Sequence, residues 1–316
     1  MSKLYYKDDY GEFYLGDARE VLESLPENSI DMCVTSPPYW AVRDYGVEGQ
    51  LGQEPDYNEY LDKLCKIFDF LKTSLKREGS LFVVIGDTYF SRSKGTGGKT
   101  KKQLTNQGSF FRQERLPPLM PEGSLVNIPA RFSIQMIDEW YWILKHTLIW
   151  HKPNAMVTSN KKKFTLDFEY IYHFILDSRR YYFEQQFEPL KQPNAKSRNA
   201  TNKHAGYNNP TYSGFEYDAS NYARGRNKRS VWSISTRGFR GAHFATYPIS
   251  LLEVPIAACC PIGGTVIDPF VGSGSTCIES ESQDKHWIGI DISKDYLDIA
   301  IERILKEREK RNAKEE

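Results

Sequence analysis

The sequence has little of what marks several large functional classes. Its 316 residues hold five cysteines (Cys33, Cys65, Cys259, Cys260, Cys277), an odd total with no Cys-x-x-Cys spacing. That argues against a disulfide framework and a zinc site, and for reduced thiols in a cytoplasmic compartment. The six histidines (His146, His151, His173, His204, His243, His286) show no metal-ligand spacing with cysteines or carboxylates. No metal is therefore expected; the histidines read as structural, with His243 the one placed to line a cleft. Apolar runs are short, none approaching the roughly 18 residues of a membrane helix, and "MSKLYYKDDYGEFY" has no signal-peptide core. No membrane partner is expected. An overall excess of charge is missing too, the formal net being +1.

The charge is unevenly distributed instead. Residues 1–62 carry 4 basic and 14 acidic side chains, whereas residues 91–240 carry 25 basic and 11 acidic ones. A strongly basic middle block inside a neutral whole points to a polyanionic partner.

Along the chain, strand and helix signals alternate. "GEFYLGD" reads as a strand, "AREVLESL" as a helix capped by Asp17, and "IDMCVTS" as a buried strand. The stretch "NEYLDKLCKIFDFLKTSLK" has apolar residues at helical spacing, and "SLFVVIGD" is a fully apolar strand. Residues 91–127, rich in Gly, Lys, Ser and Pro, read as a mobile basic loop. Order resumes over 128–189 with a helix and the strands "WILKHTLIWHK" and "EYIYHFIL". Residues 190–240 are again irregular, polar and largely basic, and 241–316 return to strand–helix alternation. The fold class is α/β with a mainly parallel sheet, interrupted by two basic inserts.

Two turns carry the chemistry. In "TVIDPFVGSGST" a strand runs through a glycine-rich turn into a helix, so Gly272 and Gly274 would let backbone approach a ligand. The third glycine of a dinucleotide fingerprint falls on Cys277, and neither a Gly-Lys-Ser/Thr ending nor a G-x-S-x-G elbow is present. Asp291, nineteen residues past Gly272, is placed to take the two hydroxyls of a ribose. Asp268 adds negative charge where a pyrophosphate would sit, so a cationic nucleoside such as S-adenosylmethionine suits the turn better.

The other turn is "VTSPPYW" at 34–40, where two prolines stop a buried strand. An exocyclic amine on a nucleobase is a weak nucleophile, and it attacks a methyl group only when held in line with acceptors on its hydrogens. Ser36 Oγ and the Pro37 carbonyl are candidate acceptors. Pro37 and Pro38 stiffen the backbone and remove competing donors, and Tyr39 would stack on a base drawn out of a duplex. Trp40 either extends that stacking wall or belongs to the core.

"SPPY" at 36–39 and "DPFVGSGST" at 268–276 resemble the two hallmark motifs of the amino-methylating DNA methyltransferases, which use S-adenosylmethionine. Their order, catalytic motif first, basic region next and cofactor motif last, is similar to the permuted β-type arrangement. "LGDARE" near Asp17, "IWHKPN" at 149–154, "NKRSVW" at 227–232, "GAHFATYP" at 241–248 and "IGIDIS" at 288–293 extend the resemblance over nearly the whole chain.

The resemblance implies a Rossmann-like, circularly permuted domain. Residues 1–90 and 128–189 would form the catalytic half, 190–240 the target-recognition region and 241–316 the cofactor half. It places Asp268, Phe270, Gly272 and Gly274 beside the methionine part of the cofactor, Asp291 on its ribose and Asp17 near its adenine. Phe244 and Pro248 would pack from the other side. Trp150, Lys152, Pro153 and Asn154 would shape the target-base pocket. Serine at the first motif position goes mostly with cytosine N4 rather than adenine N6 methylation in this family. C5-cytosine chemistry needs a Pro-Cys nucleophile, and only the reverse Cys260-Pro261 occurs.

The basic blocks mix Lys and Arg with Asn, Ser, Tyr and Gly, as phosphate contacts and base-edge readers require; Arg224, Arg226, Lys228 and Arg229 are the candidates for DNA. The expected partner is double-stranded DNA. A cognate restriction endonuclease and a second copy of the chain remain open as protein partners. The competing readings are N6-adenine methylation, RNA base methylation, and a DNA-binding protein without catalysis.

Overall fold

The structure, a computed structural model, describes residues 2–42, 47, 49–90, 120–158, 161–189, 225–236 and 247–315. In chain order the strands are β1 (Lys3–Lys7), β2 (Gly11–Leu15), β3 (Ile30–Thr35), β4 (Leu75–Ile85), β5 (Ile143–His151), β6 (Phe168–Ile175), β7 (Phe187–Glu188), β8 (Arg226–Asn227), β9 (Val231–Ser233), β10 (Thr265–Asp268) and β11 (His286–Asp291). The helices are α1 (Ala18–Ser24), α2 (Tyr57–Ser74), α3 (Ile128–Asp138), α4 (Glu253–Cys259), α5 (Ser275–Ser282) and α6 (Lys294–Glu315).

Nine strands form one sheet in the order β1-β2-β11-β10-β3-β4-β6-β5-β9. The run from β2 to β4 is parallel throughout, whereas β6 is antiparallel to both its neighbours. Strands β3 and β4 alternate between two apolar layers, as a period of two requires. Cys33, Leu81, Val83 and Ile85 join the core beneath α2 and α3. Met32, Val34, Phe82 and Val84 join the other, with Ile256 and Cys259 of α4. This is the α/β layering expected from the alternation of elements.

The order of crossovers fixes where a ligand can bind. From β10 the chain passes through α5 to β11 on one side; from β3 it passes through α2 to β4 on the other. The strand order therefore reverses between β10 and β3, and a crevice opens at their carboxyl ends. The Ser-Pro-Pro-Tyr turn leaves β3 and the glycine turn leaves β10, so the two turns predicted to carry the chemistry meet at that point.

Several local expectations change. Helix α2 stops at Ser74, and β4 starts at once on Leu75, earlier than the apolar run suggests. Residues 91–119, most of the expected basic loop, lie outside the described residues. Its tail is ordered, for Leu125 bridges Tyr89 and Phe90 N–H donates to the Ser124 carbonyl at 2.8 Å. Ser230–Thr236, expected within the irregular region, contributes β9 beside β5, anchored by buried Trp232. A three-residue strand is too short to announce itself in a polar context.

The chain divides into two compact units, Met1–Glu184 with Ser230–Glu316, and Gln185–Arg229. In the second, β7 and β8 pair antiparallel, while residues 190–224 lie outside the described residues.

Gly274 caps α5 with φ +79°, and a Cβ there would stand 2.9 Å from Ala300 Cβ on α6. Gly274→Ala combines strain with overpacking, and urea unfolding should show a loss of about 1–3 kcal/mol.

Candidate active site

A cleft of about 880 Å³ opens where β3 and β10 end, within the first unit. Ser36, Pro37, Pro38 and Tyr39 line it together with Asp17, Phe270, Gly272, Asp291, Trp150 and Lys152. Sequence-distant turns thus share one cavity. Its size is in the range that holds a nucleoside-sized ligand with a second group beside it.

The Ser-Pro-Pro-Tyr turn is held from several directions. The Tyr60 hydroxyl donates to the Pro38 carbonyl at 2.9 Å, fixing the proline backbone from α2. Ser36 Oγ donates to the Tyr39 hydroxyl at 3.3 Å, which donates to Glu169 Oε2 at 2.9 Å. Lys152 Nζ forms an ion pair with Glu169 Oε1 and sits 4.3 Å from the Trp150 ring centroid. Each hydroxyl proton in this chain is spent on the next member, so the lone pairs of Ser36 Oγ stay free to accept. Burial and the Glu169 charge push the Tyr39 phenol well above its usual value, keeping it a neutral donor. Gly86 is needed for closeness, since a Cβ there would lie 2.6 Å from the Tyr39 ring.

Glu169 escaped the sequence reading. It is the second residue of the apolar strand "FEYIYHFI" and reaches the cleft because β6 is antiparallel to β5, with Glu169 opposite Trp150. A lone carboxylate in an apolar strand was the available signal.

On the other wall, Gly272 has φ +49°, and its N–H donates to Asp291 Oδ2 at 2.9 Å. Asp291 Oδ1 accepts from Ser293 N–H at 2.8 Å. The amide that a phosphate would need is committed to a carboxylate. Burial at the cleft floor pushes Asp291 up to about 6, with Asp268 nearby adding to the rise. Asp17 caps α1 through Arg19 N–H at 2.8 Å and pairs with the Arg19 guanidinium at 3.0 Å. Burial alone would raise its carboxyl, but the Arg19 bonds hold it below its ordinary value.

Four expected contacts are corrected. Asp268 is 1% exposed and does not line the cleft. Its carboxylate accepts from Thr35 Oγ1 at 2.5 Å, Thr276 Oγ1 at 2.6 Å, the Tyr247 hydroxyl at 2.8 Å and Phe270 N–H at 3.0 Å. It braces the wall from behind. Gly274 serves the packing of α5 on α6, not ligand approach. Trp40 is core, 1% exposed, its indole donating to the Glu54 carbonyl at 2.8 Å. Asn154 does not line the cleft either; its amide clamps the Thr236 backbone at 2.8 and 2.9 Å, and Thr236 does line it.

Arg226 and Arg229, in the second unit, share the Glu188 carboxylate at 2.8 and 2.6 Å. Lys228 lies between them, and its backbone N–H donates to the Gln186 carbonyl. Arg224, His243 and Phe244 lie outside the described residues; Pro248 is described and caps the short turn before α4.

A family model described as DNA methylase, for N6 and N4 methyltransferases, matches residues 30–302. The chain belongs to this N6/N4 DNA methylase family. The type II methyltransferase M.Cfr9I of Citrobacter freundii is 34% identical over 293 residues, covering 92% of this chain and 86% of the relative. M.SmaI of Serratia marcescens is 32% identical, covering 93% and 90%. Among solved structures, the cytosine-N4-specific PvuII DNA methyltransferase superposes with TM-score 0.64 at 20% identity, covering 95% of this chain and 88% of that one. The S-adenosylmethionine complex of M1.HpyAVI superposes at 0.53 and 15%, covering 93% and 98%. These two show the same fold.

The methylase acts on DNA and takes its methyl group from S-adenosylmethionine. The residues present fit that donor. Asp291 offers ribose hydroxyls a carboxylate already oriented by two amides, and the surrounding acids suit a sulfonium and ammonium rather than phosphates. Phe270 and Gly272 would border its methionine part, and Asp17 would lie near its adenine. No helix among the described residues is long and apolar enough to cross a membrane.

Ionised Asp291 is the acceptor form, so donor affinity should be level above pH about 6. Below that it should fall, by up to about tenfold per pH unit. Calorimetry between pH 5 and 8 reads this, and Asp291→Asn should flatten the profile. Glu169→Gln should lower kcat about tenfold with the donor KM unchanged, because it disturbs only the Tyr39 and Lys152 bonds.

Proposed function

We propose that the methylase modifies the exocyclic N4 amine of cytosine in duplex DNA, by direct in-line transfer to a base swung out of the helix. The observation that carries the reading is Ser36. The first acceptor that the Ser-Pro-Pro-Tyr turn offers is a neutral hydroxyl oxygen, while the carboxylate in its hydrogen-bond chain, Glu169, is engaged by Tyr39 and Lys152. Serine at this position goes with cytosine in the family the motifs resemble.

When bound, the donor supplies a methyl group made electrophilic by its sulfonium. The chain's part is placement. Ser36 Oγ and the Pro37 carbonyl accept the amine's hydrogens and draw its lone pair out of the ring, toward the wall formed by Phe270 and Gly272. Tyr39 stacks on the base, worth about 1–3 kcal/mol toward its extrusion. The prolines contribute no N–H to compete for those acceptors. No side chain forms a bond to the base, in keeping with the lack of a Pro-Cys nucleophile.

Arg224, Arg226, Lys228 and Arg229 are the proposed phosphate and groove contacts, steered by the basic middle of the chain. The relatives named as type II methyltransferases support a place beside a restriction endonuclease of the same site specificity.

Mass spectrometry of nucleosides from DNA treated with the methylase should show N4-methylcytosine; N6-methyladenine alone would give the adenine reading. Ser36→Ala should reduce kcat by about 10²-fold or more with donor binding preserved. Duplex DNA should outcompete RNA as acceptor.

A further inference from the structure

We propose that the projection between β5 and β6 is a wedge whose exposed Phe164 side chain enters the DNA stack and fills the gap left by the extruded base. The proposal rests on the duplex-DNA reading above and adds to it the residues that hold the helix open.

The projection is a built element. Its arms are tied at the base, where Lys152 N–H donates to the Asp167 carbonyl at 2.6 Å, and again where Thr158 N–H donates to Thr165 Oγ1 at 3.2 Å. It stands on the cleft's rim, since Lys152, Leu166 and Phe168 line that cavity. Beyond the cleft its side chains turn apolar and open to water. Phe164 is 98% exposed and Met156 93%, the two most exposed large hydrophobic residues among those described, and Val157 is 80% exposed. Lys161, Lys162 and Lys163 immediately precede Phe164. The Lys163 ammonium rests 3.5 Å from the Tyr89 ring centroid, bracing the arm against the segment after β4.

An exposed apolar side chain with cations beside it matches a partner that is apolar within and anionic outside. Stacked bases between two phosphate rails have that chemistry. A cleft that admits a base from this partner lies at the projection's foot, where Leu166, two residues from Phe164, lines it, so Phe164 is next to the vacancy when the base enters. Leaving the vacancy empty forfeits stacking on two base faces, and a flat ring is suited to replace it. Lys161 would meet a flanking phosphate, a sequence-independent term sensitive to salt.

The test compares transfer of labelled methyl, whichever base receives it, to two duplexes. Both carry the site found by sequencing modified DNA; one is fully paired and the other has the target base mispaired, so that its opening cost is already met. Phe164→Ala should lose about tenfold in kcat/KM on the paired duplex and under about twofold on the mispaired one, with Phe164→Leu between wild type and Ala. Lys161→Ala should weaken both duplexes alike and lower the salt slope by about 1. Equal loss on both duplexes, or none on either, overturns the wedge. So does a wild-type dimer that Phe164→Ala splits while the ratio between duplexes stays unchanged, which would assign this side chain to a second copy of the chain. Wild type that methylates RNA or single strands in preference to duplex would instead overturn the underlying duplex reading.

Discussion

The hydrogen bond from Thr35 to Asp268 joins the ends of two strands whose residues lie 233 positions apart in the chain. One strand leads into the turn that presents Ser36; the other leads into the turn that presents Gly272. Asp268 also receives Tyr247, Thr276 and the Phe270 amide, so a single buried carboxylate gathers both walls of the cleft and the start of α5. Burial raises the cost of its charge, and the four donors offset that cost. The three side-chain donors and the one backbone donor are all neutral, so no cation is buried beside it. The spacing of the two turns across the cleft depends on this bridge.

The opposite wall solves a different problem with the same means. Ser36 donates to Tyr39 and Tyr39 to Glu169, whose other oxygen takes Lys152 from the opposite side, so the chain ends on one carboxylate. The Ser36 hydroxyl is therefore oriented in the structure without a ligand, the preorganisation that the proposed transfer needs. Asn154, two residues along from Lys152, holds the Thr236 backbone at the cleft's edge. The segment that carries Lys152 onward then leaves the cleft as the exposed projection, so one stretch of chain connects the ion pair in the cleft to the exposed Phe164.

Much of this was legible in the amino-acid order because it is local. Proline pairs stop a strand wherever they fall, and a strand–Gly-x-Gly–helix run makes a tight turn whatever surrounds it, so both site turns could be located from residues alone. Alternating apolar runs gave the layering, and the segmental charge pointed to a polyanion. Serine rather than a carboxylate at position 36 is also written in the chain itself.

What only the tertiary structure decided is which of those residues face the ligand and which stand behind it. Asp268 and Asp291 both end parallel strands, yet neighbours seal the first and leave the second on the cleft. Gly272 and Gly274 are two residues apart, and α6 packs over only one of them. Trp40 follows Tyr39 directly but turns into the core, and Glu169 becomes part of the site through an antiparallel register with Trp150. Backbone conformation is set by near neighbours in the chain. Depth, pairing and register are set by elements far along it, and so belong to the fold.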